Sequence, residues 1–315
     1  MRNRNRLLSL LMLLLLLTAA ACGPAPSPAA DNHPAQEEAA PSLFPVTVTD
    51  DLGQELTFTQ PPQRIGAFVP SATDLLLTLG MKDRIAVVDP YSAAQFPEVE
   101  GITQMDTYNI DFEFLVAQKL DLILTLPGQY LDRMRELGLK VYVLQPSDIE
   151  GVYRNFLNIG KVAGIPDTAD EVVKGLRQAM QPILEKVARI PEDQRVTVYA
   201  ENWNDPIYAA GAGSYTDALI RAAGGKNILH DSEQPWPQVN AEDIIARAPE
   251  VILVTAGNPG GEELVKGTRP GWESVPAVVN RRVYVVPDEL ISQPGSRVAE
   301  AVQFLYQLFY EGEGR

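Results

Sequence analysis

Apolar positions recur along the chain in two rhythms. Short runs rich in Val, Ile and Leu at 64–69, 84–88, 121–126, 140–144, 196–201, 250–255 and 282–286 predict strands. Amphipathic stretches at 72–79, 129–137, 214–223 and 295–310 alternate with them and predict helices. Such alternation argues for parallel α/β layers. Upstream, Val46–Thr49 and Glu55–Thr59 alternate apolar and polar residues around Asp51–Gln54, a hairpin signal.

One helical pattern is longer than the rest. Thr168 and Glu171 have capping-box spacing. Val172, Val173, Leu176, Ala179, Met180, Ile183, Leu184 and Val187 then fall on one helical face. A helix over 169–189 is about 32 Å long at ~1.5 Å per residue. Pro182 lies inside it and predicts a bend.

The pattern also repeats. Ser71, Thr73 and Asp74 are echoed by Ser214, Thr216 and Asp217, and each set opens an apolar helix that ends in glycine, Gly80 or Gly224. Asp111, Glu113, Ala117, Asp121 and Leu124 line up with Asn240, Glu242, Ala246, Glu250 and Leu253. Val141–Val143 is echoed by Val283–Val285. The three echoes keep their order, which argues for two lobes built alike. The expected fold is α/β: two Rossmann-like lobes joined by a single long α-helix, with a ligand cleft between them. The expected divisions are a signal peptide over 1–21, a lipidated Cys and tether over 22–42, an N-terminal lobe over 43–165, a linking helix over 166–190 and a C-terminal lobe over 191–315.

The first divisions rest on Arg2, Arg4 and Arg6 followed by the Leu-rich run Leu7–Leu17. That run is too short to span a bilayer and has the layout of a secretory signal. Ala19, Ala20 and Ala21 precede Cys22, the only cysteine, an arrangement that resembles a lipoprotein cleavage box. The other reading is an ordinary signal cleaved near Ala21. Five prolines between 23 and 42, among Ala, Ser, Asp and Glu, describe a tether. The mature protein is expected to be exported, lipid-anchored to the membrane and monomeric.

Composition narrows the function. Hydrophobic residues make up 45 % and charged residues 21 %, so the bulk of the chain is globular. Asp and Glu outnumber Lys and Arg by 41 to 26, which speaks against nucleic acid as a partner. One Cys and two His leave no Cys cluster and no three-His zinc site, and no metal is expected.

Ser71 and Ser214 each follow a strand and precede a helix. They read either as helix caps or as groups presented to a polar ligand. Tyr91, Tyr108, Tyr130, Trp203, Tyr208, Tyr215 and Trp236 fall outside the periodic apolar faces, several in loops bounded by Pro, Asn or Gly. They suit either lobe packing or a bulky, planar, partly apolar ligand. Gly211, Gly213 and Thr216 form a broken G-x-G-x-x-G that lacks its last glycine. No G-x-S-x-G elbow surrounds any serine. Glu113 and Glu242 sit two residues after a helix-start residue. The helix dipole favours an acid there by ~0.3–1 kcal/mol, and equivalent acids on two lobes also suit docking onto a two-fold partner with paired Arg. An enzyme is not expected. The alternatives from other classes are an extracytoplasmic hydrolase using a carboxylate pair, and a tethered interaction domain.

These residues resemble the helix-linked substrate-binding proteins of bacterial ABC importers for iron–siderophore, haem and vitamin B12. The likeness runs from Arg64 to Tyr310 and is carried by Arg64–Asp74, Phe112–Ile123, Ala222–Ile228 and, most specifically, Pro235–Glu242, which is similar to the vitamin B12-binding members. The resemblance implies capture of a cobalamin-like corrinoid, with an iron–siderophore or haem as the alternative, and delivery to ABC permease subunits. It implies ligand contacts from Pro70, Ser71, Ala72, Thr73, Tyr91 and Trp236. Tyr108, Trp203, Tyr208 and Arg297 complete the candidate set. Glu113 and Glu242 match the acids that meet the permease, and Cys22 the lipidated residue. Asp74 stands where the family has Glu. Tyr108 and Leu126 fall near positions where it has Trp, and the loop 288–294 lacks its Arg.

Overall fold

A computed structural model describes residues 43–312. The signal, Cys22 and tether over 1–42, and residues 313–315, lie outside the described residues.

The chain opens with β1 (Val46–Thr49) and β2 (Glu55–Phe58), the antiparallel hairpin that alternation predicts. The first lobe follows as β3 (Ile65–Ala67), α1 (Pro70–Thr78), β4 (Ile85–Val88), α2 (Pro90–Gln95), β5 (Thr103–Gln104), α3 (Phe112–Ala117), β6 (Leu122–Thr125), α4 (Leu131–Glu136), β7 (Val141–Val143) and α5 (Ile149–Ala163). Its five strands are all parallel, in the order β5-β4-β3-β6-β7. The long α6 (Pro166–Val187) then leads to the second lobe: β8 (Thr197–Asn204), β9 (Ile207–Ala209), α7 (Tyr215–Ala222), β10 (Lys226–Asn227), α8 (Ala241–Arg247), β11 (Val251–Thr255), α9 (Gly261–Lys266), α10 (Pro276–Val279), β12 (Val283–Val286), α11 (Asp288–Ile291) and α12 (Val298–Tyr306), closed by a π turn at Gln307–Glu311. Here β10-β8-β11-β12 are parallel and β9 returns antiparallel on β8. Every residue of β6 and of β11 is buried. Strands covered on both faces read as continuous apolar runs rather than alternating ones, as these do.

The linking helix starts earlier than its capping-box spacing suggests. Gly164, at φ 76°, ends α5 in the left-handed conformation, and Pro166 opens α6 one turn before Thr168–Glu171. Proline at the first helical position has no N–H to leave unpaired, so it starts the helix without a side-chain cap. The helix continues through Pro182. Its buried stripe is also narrower than the pattern implies. Ala169, Val173, Met180, Ile183 and Val187 are buried, whereas Ala179 and Leu184 are exposed. Spacings of four and three describe a single seam, as in a coiled coil. That seam packs on α5 of the first lobe and α12 of the second. One apolar core therefore runs through both lobes by way of α6, with a separate cluster on the outer face of each sheet.

Among the described residues no helix is long and apolar enough to cross a membrane.

Candidate ligand cleft

In a parallel sheet, loops at the carboxyl ends of the strands gather at one edge. Ligands meet them where the strand order reverses. In the first lobe that point is β3, with β4 on one side and β6 on the other. The loops after β6 and β7 face those before α7 and after α11, and they enclose a cavity of about 500 Å³ between the lobes. Leu126, Pro127, Gln145 and Pro146 line it from the first lobe, and Tyr215 and Trp236 from the second. A neighbouring cavity of about 350 Å³ lies on the first lobe, against Tyr108 and Tyr130. Leu126 and Pro127 line both, so the two adjoin. No Asp, Glu, Lys, Arg or His is among the lining residues of either.

Trp236 is placed by backbone contacts. Gly211 N–H donates to the Pro235 carbonyl at 2.9 Å and Ala209 N–H to that of Pro237 at 3.2 Å. A Cβ on Gly211 would lie 2.4 Å from the Gln234 carbonyl oxygen. The glycine-rich stretch thus lets the 232–237 loop close against the strand. Ser214 caps α7: its hydroxyl accepts from Asp217 N–H and donates to the Gly211 carbonyl.

The echo at Ser71 behaves differently. Ser71 lies inside α1, whose N-cap is Val69 with no side-chain bond. Ala72 and Thr73 are fully buried. The Thr73 hydroxyl donates to Ser92 at 2.9 Å, and the Ser92 hydroxyl donates to Asp89, which caps α2 through the N–H groups of Tyr91 and Ser92. Thr73 therefore ties α1 to the Asp89 cap of α2 and Ala72 belongs to the core, so neither presents a side chain to the cleft. Ser71 is nearly buried, and Pro70 occupies the first position of α1.

Tyr91 and Tyr108 are 61 % and 69 % exposed and meet edge to face, with ring centroids 6.3 Å apart. Trp203 and Tyr208 are exposed on the β8–β9 hairpin and line neither cavity, and the Trp203 indole donates to the Asp205 carbonyl at 3.0 Å. Arg297 also lines neither. Both its Nε and its Nη2 donate to Glu300, at 2.7 and 2.6 Å.

Glu113 and Glu242 are exposed on the first turns of α3 and α8. Asp111 caps α3 by accepting from Glu113 and Phe114 N–H, and Asn240 caps α8 by accepting from Glu242 N–H. Among the described residues neither glutamate has an ion-pair partner. Helices in such layers run against the strands, so both N-termini lie at the strand ends that carry the cleft loops.

The residues after β7 (145–147), those after α11 (292–294) and Tyr215 also line the larger cavity. Of these, the sequence singles out Tyr215, as one of a group of aromatics, and the loop 288–294, through the family resemblance. The loops have no periodicity. Their signal is their place at the carboxyl ends of strands, which needs the strand order.

The sequence profile of the periplasmic binding protein family matches residues 67–290, most of the chain. The chain belongs to that family. It is a solute-binding protein by membership. It is 27 % identical over 292 residues to an uncharacterized ABC transporter substrate-binding lipoprotein, YvrC, of Bacillus subtilis, covering 89 % of this chain and 90 % of the relative. It is 25 % identical over 250 residues to the vitamin B12-binding protein of Vibrio cholerae, covering 77 % of this chain and 87 % of that one. Among solved structures, an ABC-type Fe3+-hydroxamate transport protein from Saccharomonospora viridis matches with a TM-score of 0.71 and 23 % identity, over 85 % of this chain and 99 % of the other. That likeness shows the fold: two α/β lobes on a helical connector.

Proposed function

We propose that this is the extracytoplasmic substrate-binding lipoprotein of an ABC importer, and that it takes a bulky solute without net charge, of cobalamin type, between its lobes. The observation that carries the reading is the uncharged lining of the two adjoining cavities, with Trp236 lining one and Tyr108 the other. A polyanionic chelate would be desolvated there with no cation to meet it, which is unfavourable by several kcal/mol per ion. A corrinoid offers amides to Gln145, Ser147, Ser214 and Ser292, and flat apolar surface to Trp236. The 25 % identity to a vitamin B12-binding protein supports the same choice. A neutral ferric trihydroxamate fits the uncharged lining as well and is the second reading. Glu113 and Glu242 then present two exposed acids to the permease from the cleft side of the lobes, and Cys22 carries the lipid. No carboxylate lines either cavity, which argues against a hydrolase working there.

Tryptophan emission titrated with cyanocobalamin tests the reading. Saturable one-to-one quenching, largely removed by Trp236→Phe, is expected. Quenching that never saturates overturns the choice of ligand.

A further inference from the structure

The two lobes are joined at the cavity by a carboxylate. Asp74 on α1 of the first lobe accepts from the backbone N–H of Ser296 at 2.6 Å and, through its other oxygen, from the Ser296 hydroxyl at 2.6 Å. Ser296 lies between α11 and α12 of the second lobe. The approach requires glycine next to it, because a Cβ on Gly295 would lie 2.3 Å from Asp74 Oδ2. The same short segment carries Ser292 and Pro294, which line the larger cavity. Gln293 adds a second bond between the lobes, its side-chain oxygen accepting from Gln95 Nε2 at 3.0 Å.

The surroundings do not favour a charge. Burial is the largest influence on Asp74 and pushes its carboxyl above the ordinary value, against the two Ser296 bonds and the attraction of Arg297. Arg297 is itself held by Glu300. From the second lobe, Tyr215 adds a buried phenol with no hydrogen-bond partner among the described residues, electrostatically coupled to Asp74 and to Tyr153 of α5. Apolar contacts between lobes tolerate sliding. A carboxylate that receives both donors of one serine fits a single register, since such bonds weaken steeply with angle.

We infer that the Asp74–Ser296 pair is a latch that sets the width of the cleft, so that Asp74 positions the walls around a bound solute without touching it. The positioning role rests on the cleft being the binding site; the latch does not.

The test reads both. Cysteines at Asp132→Cys on α4 and Val265→Cys on α9, in the full chain carrying Cys22→Ser, take nitroxide labels, and the distance distribution between them is measured by pulsed electron resonance. A narrow distribution is expected for the parent and for Asp74→Asn, whose amide oxygen still accepts the N–H while its nitrogen donates to the hydroxyl. Asp74→Ala and Gly295→Ala should broaden it. They should also speed cyanocobalamin dissociation by roughly 10-fold or more, the scale of a lost charge-assisted bond, while Asp74→Asn stays close to the parent. Ser296→Ala, which removes one bond of two, should fall between and serves if Asp74→Ala fails to fold. Unchanged distributions in the Ala variants overturn the latch. Broadened distributions with an unchanged dissociation rate overturn the positioning role. If the parent binds no cyanocobalamin, the ligand reading fails, and the distances alone decide the latch.

Discussion

Asp121 and Glu250 tie down matching strands in the two lobes. The Asp121 carboxylate accepts from the N–H groups of Gln63 and Arg64 at 2.8 and 2.9 Å, at the start of β3. The Glu250 carboxylate accepts from Thr197 N–H at 2.8 Å, at the start of β8. Each backbone answers in kind: Asp121 N–H donates to the Arg64 carbonyl and Glu250 N–H to that of Thr197. Each acid also follows a residue with positive φ, Lys119 at 52° or Ala248 at 47°. The two lobes thus share a detail of strand pairing as well as an outline.

Asp121→Ala and Glu250→Ala are each expected to lower stability by about 1 kcal/mol, the scale of one exposed charge-assisted bond. The sites share no partner, so the double substitution should be near additive. Urea unfolding monitored by circular dichroism gives all three values, and a strongly non-additive double variant would contradict the picture.

Trp236 lines the cavity and Trp203 does not, so the two should part company. Trp236→Ala should weaken cyanocobalamin binding by roughly 30-fold, as the loss of an aromatic anchor that the ligand covers does. Trp203→Ala should stay within about threefold. Calorimetric titration of both variants separates them, and equal losses would refute the assignment of the cleft wall.

Gly211 and Gly213 make different demands. Alanine at Gly211 collides with the backbone of the loop that carries Trp236, whereas at Gly213 there is space but φ is +79°. Gly211→Ala should cost stability by about 1–3 kcal/mol and weaken binding with it. Gly213→Ala should cost about 1–2 kcal/mol through its backbone conformation alone, and although Gly213 is on the cavity wall it leaves the Trp236 loop in place and should weaken binding less than Gly211→Ala. Denaturation and binding measured side by side check the split.

Asp74 carries the pH prediction. Its carboxyl titrates above the ordinary value because of burial. The folded state therefore holds this proton more tightly than the unfolded state. Its contribution to stability is fully present below the ordinary carboxylate value and is lost as pH rises through the raised one. Ser296→Ala removes the strongest opposing influence and should raise the value further, while Asp74→Asn should flatten that part of the stability–pH curve. Carbon-13 titration of the Asp74 carboxyl by NMR measures the first effect and urea midpoints the second.

Much of this was visible before any coordinates. The seven strand runs recur as β3, β4, β6, β7, β8, β11 and β12, most plainly at β6 and β11, which are buried on both faces and leave an unbroken apolar run. Asp111 and Asn240 cap the helices they were read as starting. The apolar pattern does not single out helix α5. Gly151 and Gly160 weaken its pattern, and both are there for packing: a Cβ on Gly160 would lie 2.2 Å from that of Ala169 on α6. The candidate site was read less well. Ala72 and Thr73 look available in a loop-like motif, but the first turn of α1 faces the core. Arg297 looks like a cleft cation until Glu300 is seen beside it. The wall over 145–147 depends on contacts between lobes, which local sequence does not encode, whereas that at Ser292 and Pro294 falls in the loop the family resemblance implies.

Docking can be separated from binding. Glu113→Ala with Glu242→Ala should leave cobalamin affinity unchanged and lower folding stability by only ~0.3–1 kcal/mol each, the helix-dipole share, since both side chains are exposed and without ion-pair partners among the described residues. Uptake through the cognate permease should fall about 10-fold or more, as expected when complementary charges that orient a complex are removed. Unimpaired uptake would show that the acids do not dock.

The central claim is that the uncharged cleft selects a neutral, bulky solute. Isothermal titration of the domain from Leu43 to the C-terminus with cyanocobalamin, a neutral ferric trihydroxamate, an anionic ferric catecholate and haem tests it most directly. Tight one-to-one binding of cyanocobalamin, with no heat of binding from the catecholate, is the predicted result. Tight binding of the catecholate and none of cyanocobalamin would contradict the account.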